Sequence, residues 1–317
     1  MTKDDSIYIA GHKGLVGSAV ARRLKARGYE NLIVRDHGEL DLIRQADVEA
    51  FFQKERPSYV VLAAGKVGGI LANSSYPGDF IYQNLAIALN VIHAAHESGV
   101  RKLINLGSSC IYPKLAPQPL KEEYLLTGPL ESTNEAYAVA KIAGVRLCVH
   151  LNQQYRTNFL SVMPTNLYGI NDNYDPSSSH VLPALIGKIH EAKEKREGVT
   201  LWGDGSPYRE FLYADDLADA LILLLQKYDA ADIGEIINIG AGKDITIKEL
   251  AHLIAEVIGY RGGFTWDTSK PNGTPRKLLD VSKITALGWK AETGLKEGIE
   301  LAYRDYLKNR SSTDADQ

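Results

Sequence analysis

Short apolar runs alternate with longer amphipathic stretches through the first half of the chain. The runs are Ile7–Ala10, Leu32–Val34, Tyr59–Ala63, Lys102–Leu106 and Phe159–Met163. They are rich in Val, Ile and Leu and lack polar alternation, which predicts parallel strands covered on both faces. Between them lie helical patterns at Leu15–Arg27, Asp47–Glu55, Asp79–Ser98 and Glu135–Tyr155. This order predicts βαβ units with right-handed crossovers, hence an α/β fold with a doubly wound parallel sheet. After Met163 the texture changes. Residues 164–180 are crowded with Pro, Asn, Gly and Ser, the composition of a long functional loop. Shorter elements follow, with turns at Gly203–Pro207 and Pro271–Gly273. The pattern divides the chain into a main sheet domain over 1–170, with segments near 211–240 returning to it, and a smaller domain over 171–317. The last residues, near 309–317, read as a disordered tail.

Composition narrows the class. The chain has 317 residues, 44% of them hydrophobic and 24% charged, enough for a sizeable core. A net charge of -3 gives no general attraction to nucleic acid or to an anionic membrane surface. Two cysteines, Cys110 and Cys148, are too few for a disulfide framework and fit a reducing compartment. No apolar run approaches a membrane span, and the polar start MTKDDS runs straight into IYIA without a visible signal peptide. A cytoplasmic protein is expected. His93 and His96 share a helix without a third ligand at a telling spacing, so no metal is expected.

The first strand pattern leads into Gly11-His12-Lys13-Gly14-Leu15-Val16-Gly17 and then a helix. Glycines there permit a tight turn and let backbone approach a pyrophosphate, and the helix start offers free N–H groups. A glycine-rich turn that only packs strand on helix is the bland alternative. The second strand ends at Arg35, followed by Asp36. Arg35 and Lys13 together could hold a 2′-phosphate and so favour NADP(H). Asp36 argues for NAD, because an acid at this place holds ribose hydroxyls.

Tyr137 and Lys141 lie four residues apart on a predicted helix and so share a face. An ammonium beside a phenol favours the tyrosinate, which suits proton exchange with a carbonyl or alcohol oxygen. The preceding strand ends in Gly107-Ser108-Ser109-Cys110. Ligands of open parallel sheets bind at such carboxyl ends, where a serine can reach the same oxygen. Glycine turn, strand-end Ser108, Tyr137 and Lys141 in this order are far more specific than any one of them.

In that order the chain resembles the extended short-chain dehydrogenases/reductases. Longer strings resemble the branch that epimerises and reduces GDP-4-keto-6-deoxymannose. They are AAGKVGGI (63–70), FIYQN (80–84), LGSSCIYPKLAPQP (106–119), NEAYAVAKIAG (134–144), VMPTNLYG (162–169), SHVLPALI (179–186), REFLYADD (209–216) and GTPRKLLD (273–280). The resemblance covers nearly the whole chain. It implies an NADP-binding Rossmann domain over 1–170 and mainly substrate binding over 171–317. It implies cofactor contacts at the glycine turn, at Leu106, Gly107, Ser108 and Ser109, at Lys141, at Pro164, Thr165, Asn166 and Leu167, and at His180. Ser108, Tyr137 and Lys141 would be catalytic, with Cys110 and His180 as base and acid for inversion at two carbons beside a ketone. The chemistry is coherent, since one carbonyl acidifies both neighbouring C–H bonds and one oxygen pocket serves epimerisation and reduction alike. Substrate contacts are implied at Lys188, Trp202, Arg209 and Asp280, for a GDP-sugar. Lys188 stands where the branch often has arginine, a planar fork rather than a point charge. A homodimer paired through the helices at Asp79–Ser98 and Glu135–Tyr155 is implied as well.

Blander readings exist for single residues. Cys110 could be a buried small hydrophobe, His180 a cap-region residue, Trp202 core packing and Asp280 a helix cap. Cys148 reads as core. Rival functions are a related enzyme on a 3,6-dideoxy GDP-sugar, an NAD-dependent 4-epimerase, which needs no Cys110/His180 pair, and a silent Rossmann module used for binding.

Overall fold

The computed structural model describes residues 1–175, 178–270 and 272–315, with side chains as far as Arg310. Its first half runs β1 (Ile7–Ala10), α1 (Leu15–Ala26), β2 (Leu32–Ile33), α2 (Gln45–Glu55), β3 (Tyr59–Leu62), α3 (Ile70–Ser75), α4 (Pro77–Glu97), β4 (Lys102–Leu106), α5 (Glu135–Tyr155) and β5 (Phe159–Pro164). Its second half runs β6 (Asn166–Tyr168), α6 (Val181–Lys195), β7 (Val199–Trp202), β8 (Tyr208–Tyr213), α7 (Ala214–Lys227), α8 (Ala230–Ile233), β9 (Ile237–Ile239), β10 (Asp244–Thr246), α9 (Ile247–Ile258), β11 (Phe264–Asp267), β12 (Arg276–Lys277), α10 (Ser282–Ala286) and α11 (Leu295–Ala315).

The main sheet is six-stranded and parallel, in the order β2-β1-β3-β4-β5-β9. It is the doubly wound Rossmann arrangement. Strands β1, β3, β4 and β5 are buried at every position, as unpatterned apolar runs require. Successive residues point to opposite faces. Ile7 and Ile9 join the core beneath α1 and α7, with Val20, Leu24, Leu217 and Leu221. Tyr8 and Ala10 join the other core, with Phe52, Val91, Ile92 and Cys148. Cys148 is therefore core. Two arginines of α1 and Arg27 just after it fasten the helix to α7, Arg22 on Asp215 and Arg23 and Arg27 on Asp219.

A second layer gathers around α6, α9 and α11, where Leu185, Ile186, Ile189, Leu250, Ile254, Ile299 and Tyr306 form one cluster. Beside it, β8 is flanked by β10 and β12 and also pairs with β6. The expected loop at 164–180 thus contains a strand, because Thr165 Oγ1 and Asn166 Nδ2 donate to the Glu210 carbonyl at 3.2 and 2.8 Å and draw the segment onto β8. Pro176 and Ser177 of that segment, and Pro271 of the expected turn at 271–273, lie outside the described residues. At the chain end α11 runs to Ala315, and Asp316 and Gln317 of the expected tail lie outside the described residues. Arg310 of this helix lies 3.4 Å from Glu194 on α6. Among the described residues no helix is long and apolar enough to cross a membrane.

Candidate active site

The turn after β1 is shaped by close backbone approach. Gly11 has φ +83, and a Cβ there would stand 2.8 Å from Ala64 backbone atoms. A Cβ on Gly17 would stand 2.1 Å from the Gly11 carbonyl oxygen. Gly14 meets nothing nearer than 3.4 Å, so its bare backbone is not demanded by internal packing. It faces the start of α1, which has neither a side-chain cap nor an acidic residue in its first turn. Uncapped N–H groups and the helix dipole suit an anion there. Within the same turn His12 Nδ1 is buried without a partner. These features fit a dinucleotide's pyrophosphate.

Arg35 and Lys13 are each paired with an acid. Arg35 Nη2 donates to Glu55 at 2.7 Å and the guanidinium lies over the Phe51 ring. Lys13 Nζ donates to Asp36 at 2.6 Å, and His12 Nε2 lies 3.3 Å from the same carboxylate. Asp36 thus gathers the polar side chains of the glycine turn, and its carboxyl is held below the usual range, chiefly by Lys13.

At the end of β4 the Ser108 hydroxyl accepts from the Cys110 amide at 3.2 Å and starts a helical turn over Ser109–Ile111. Behind it Gly107 abuts Met163, and Ser109 is buried. Lys141 Nζ donates to the Leu106 carbonyl at 2.8 Å and sits 5.7 Å from the Tyr137 ring centre. One turn of α5 thus brings Tyr137 and Lys141 to the end of β4. Their electrostatics differ from the sequence expectation. Burial pushes the Tyr137 phenol well up, the charge of Cys110 adds to this, and the Ser108 hydroxyl offsets part of it. Burial pulls Lys141 down to about 8. Its ammonium is turned to a backbone carbonyl, so desolvation wins over the lysine–tyrosinate attraction. Tyr137 is a neutral proton donor here.

Across the cleft, His180 stands immediately before α6, open at the rim but walled by protein on its other sides. Desolvation lowers its pKa, and Lys277 lowers it further. Its loop is fixed from the other side, where the Gly69 amide donates to the Ser178 carbonyl at 3.0 Å. Lys277 Nζ also reaches Cys110 Sγ, at 3.7 Å. Arg209 lies beside Lys277 in register on the parallel strands β8 and β12. It is largely desolvated and also feels the charge of Cys110. Among the described residues its only hydrogen-bond partner is the Tyr208 carbonyl, at 2.7 Å. Cys110, His180, Arg209 and Lys277 therefore share one space with Tyr137.

Of the remaining substrate candidates, Trp202 is 50% exposed rather than core, with the ammoniums of Lys188 and Lys270 each 5.6 Å from its ring. Asp280 Oδ1 accepts from the Ser282 amide at 2.9 Å, a local turn just before α10, whose capping position is Val281. No hydrogen bond joins it to Arg209 or Lys188 among the described residues. Sequence reasoning missed two groups. Lys277 lies within the string GTPRKLLD, whose local pattern gives no sign that it touches the cysteine. Glu210 is fully buried and accepts from the amides of Gly242 at 2.6 Å and Leu279 at 2.9 Å, which locks β8 to the chain leaving β12. A charged residue inside an apolar strand pattern was the available signal.

Residues 7–240 match the model of the NAD dependent epimerase/dehydratase family. The chain belongs to that family. A putative GDP-L-fucose synthase 2 of Arabidopsis thaliana is 56% identical over 310 residues, covering 98% of this chain and 94% of its own. A GDP-L-fucose synthase of Escherichia coli K12 is 51% identical over 311 residues, covering 96% and 97%. Among solved structures, a GDP-mannoheptose C4 reductase from Campylobacter jejuni with NADP bound has a TM-score of 0.90 at 41% identity, covering 97% of this chain and 99% of its own. Within the epimerase/dehydratase family these relatives place the chain among proteins that handle GDP-sugars.

Proposed function

We propose that the protein is an NADPH-dependent epimerase/reductase that converts GDP-4-keto-6-deoxymannose to GDP-L-fucose. The observation that carries this reading is the meeting of a neutral Tyr137 with Ser108 on one side and Cys110, His180 and Lys277 on the other. A simple 4-epimerase has no use for a thiol and an imidazole held around one cation. The full-length likeness to GDP-L-fucose synthases supports the substrate.

The glycine turn, Leu106–Ser109, Lys141 and Pro164–Leu167 would hold NADPH, which supplies hydride. Ser108 and Tyr137 aim hydroxyl donors at the oxygen of the C4 ketone and stabilise the charge that gathers there when a neighbouring C–H proton leaves. Cys110 takes that proton, and His180 returns one to the other face of the carbon. Repeating this at C3 and C5 inverts both centres. Tyr137 then gives its proton to the C4 oxygen as reduction completes, and Lys141 holds the site's positive charge. Arg209, Lys188 and Trp202 bind the GDP-sugar, Arg209 because a desolvated guanidinium without a carboxylate partner among the described residues seeks phosphate. Lys13, paired with Asp36 at the mouth of the turn, would exchange that partner for a 2′-phosphate.

Two further parts of the reading concern assembly and setting. Tyr82 and Leu89 on α4 and Val139 on α5 are exposed apolar side chains on helices that pack against each other. A second copy laid on this face would cover them and make a homodimer. Both cysteines are free thiols, which suits the cytoplasm. The decisive experiment incubates the protein with GDP-4-keto-6-deoxymannose and NADPH and identifies the sugar by NMR. GDP-L-fucose with one NADPH consumed per sugar is expected. NADPH consumption with unaltered C3 and C5 stereochemistry would overturn the epimerase half, and no consumption would overturn the whole.

A further inference from the structure

Lys277 is set apart from its neighbours on β12. Arg276 turns to the outer side and forms a paired contact with Asp244, at 2.5 and 3.0 Å. Lys277, one residue on, turns the opposite way, as strand alternation requires. It forms no ion pair with a carboxylate among the described residues, and its ammonium rests 3.7 Å from Cys110 Sγ. The position is fixed from beneath, because Glu210 holds the Leu279 amide and the Lys277–Arg209 register. A cavity behind the sulfur is lined by Lys114, Glu131, Thr274 and Lys277. There Glu131 binds Lys114 at 3.0 Å and accepts from Thr274 at 3.4 Å, so the only carboxylate lining that cavity among the described residues is already paired.

We propose that Lys277 is a catalytic group of the proton-exchange half-reaction: its ammonium balances the negative charge on Cys110 sulfur while that sulfur serves as base. The proposal rests on the epimerase/reductase reading. In the step, the C–H bond beside the ketone breaks, an S–H bond forms, and the electron pair moves to the ketone oxygen as an enolate. On return, an N–H bond of His180 breaks and a C–H bond forms on the other face. Nothing is oxidised or reduced, and sulfur and imidazole reset by exchange with water. An ammonium at the sulfur holds charge without offering a competing base, and one of its three N–H donors can point at the thiolate. Arg209 and Tyr137 face the sulfur as well, and Lys277 faces His180. A positive charge in this place favours the deprotonated form of every group around it. Lys277 lowers the pKa of His180, so removing its charge moves the limb that belongs to His180 to higher pH.

The test uses the full chain with Lys277→Met and Lys277→Arg. Solvent-deuterium uptake at C3 and C5 of GDP-4-keto-6-deoxymannose is followed by NMR without NADPH. NADPH oxidation is then measured with ketone already epimerised by the wild type. Lys277→Met is expected to slow uptake by about 100-fold, shift the His180 limb of its pH profile upward, and leave reduction within about threefold. Lys277→Arg is expected to keep most of the uptake, which also shows that the site folds. Equal losses in uptake and reduction, or a raised KM with unchanged uptake kcat, would mean that Lys277 only anchors substrate and would overturn the proposal. If the wild type oxidises NADPH without taking up deuterium, the proposal fails while a reductase remains. If it does neither, the functional reading itself has failed.

Discussion

The proposed cofactor wall and the proposed proton-exchange wall of the cleft are built in opposite ways. The cofactor wall is local, with Gly11 to Gly17 forming one turn and Asp36 arriving from the next βα unit to bind Lys13 and His12. Its rigidity is steric, enforced by backbone contacts that leave no room for a Cβ at Gly11 or Gly17. The proton-exchange wall is assembled from the end of β4, the start of α6, β8 and β12, and its key contact joins residues 167 positions apart. Its order is electrostatic, set by two cations, a thiol and an imidazole. Sequence spacing encodes the first kind of wall, whereas only topology creates the second.

The variants that separate the two walls have unequal effects. The largest belongs to Tyr137, which serves both. Tyr137→Phe is expected to lower reduction by about 10²–10⁴-fold, with a smaller loss of deuterium uptake because Ser108 still donates to the enolate. Equal losses would show that Ser108 cannot act alone. Next is Cys110→Ser, expected to cut uptake by about 100-fold or more while an epimerised ketone is still reduced, and unchanged uptake would remove the cysteine from the mechanism. On the cofactor wall, Gly17→Ala must displace the Gly11 carbonyl. A cost of about 1–3 kcal/mol in thermal or urea unfolding is expected, with a raised KM for NADPH and no selective loss of uptake. Gly14→Ala serves as the milder control.

A pH profile sharpens the same contrast. Lys141 is pulled down to about 8, so it is charged at neutral pH and loses its charge above that value. The kcat/KM for reduction should therefore bend downward above about pH 8, and Lys141→Arg should remove that limb. In stability the sign is opposite. A lysine depressed from its usual value makes folding less favourable below about 8, and the penalty fades as pH rises towards the unfolded value of 10.5. The smallest effect is expected from Asp36→Ala. It frees Lys13 and should raise the NADPH-over-NADH ratio of kcat/KM by about threefold to tenfold. A fall in that ratio would mean that Asp36 itself helps to bind the cofactor.

Much of the main sheet was legible from the chain. The runs at Ile7–Ala10 and Lys102–Leu106 and the helix at Glu135–Tyr155 match their elements end to end. Strands buried on both faces leave no polar alternation to misread, and helix ends carry turn residues. The meeting of Ser108 with Tyr137 and Lys141 followed from strand-end logic. The strand at Asn166–Tyr168 was hidden, because its partner β8 lies far along the chain and its Pro, Asn and Gly content imitates a loop. The resting pKa of Tyr137 was also illegible, since i, i+4 spacing shows proximity but not desolvation. The placement of Lys277 on the thiol depends on a parallel strand register that no local pattern announces.

That register has a consequence for how the protein can change. Glu210 and Arg209 are neighbours on β8 and point to opposite sides, the acid inward to the amides of Gly242 and Leu279, the cation to the cleft. A slip of β8 by one residue would exchange them and set a carboxylate in the cleft, towards the sulfur. Insertions and deletions in β8 are thus barred by chemistry more than by packing, and new sugar specificities should arise through the half-exposed rim around Trp202 while this strand keeps its length.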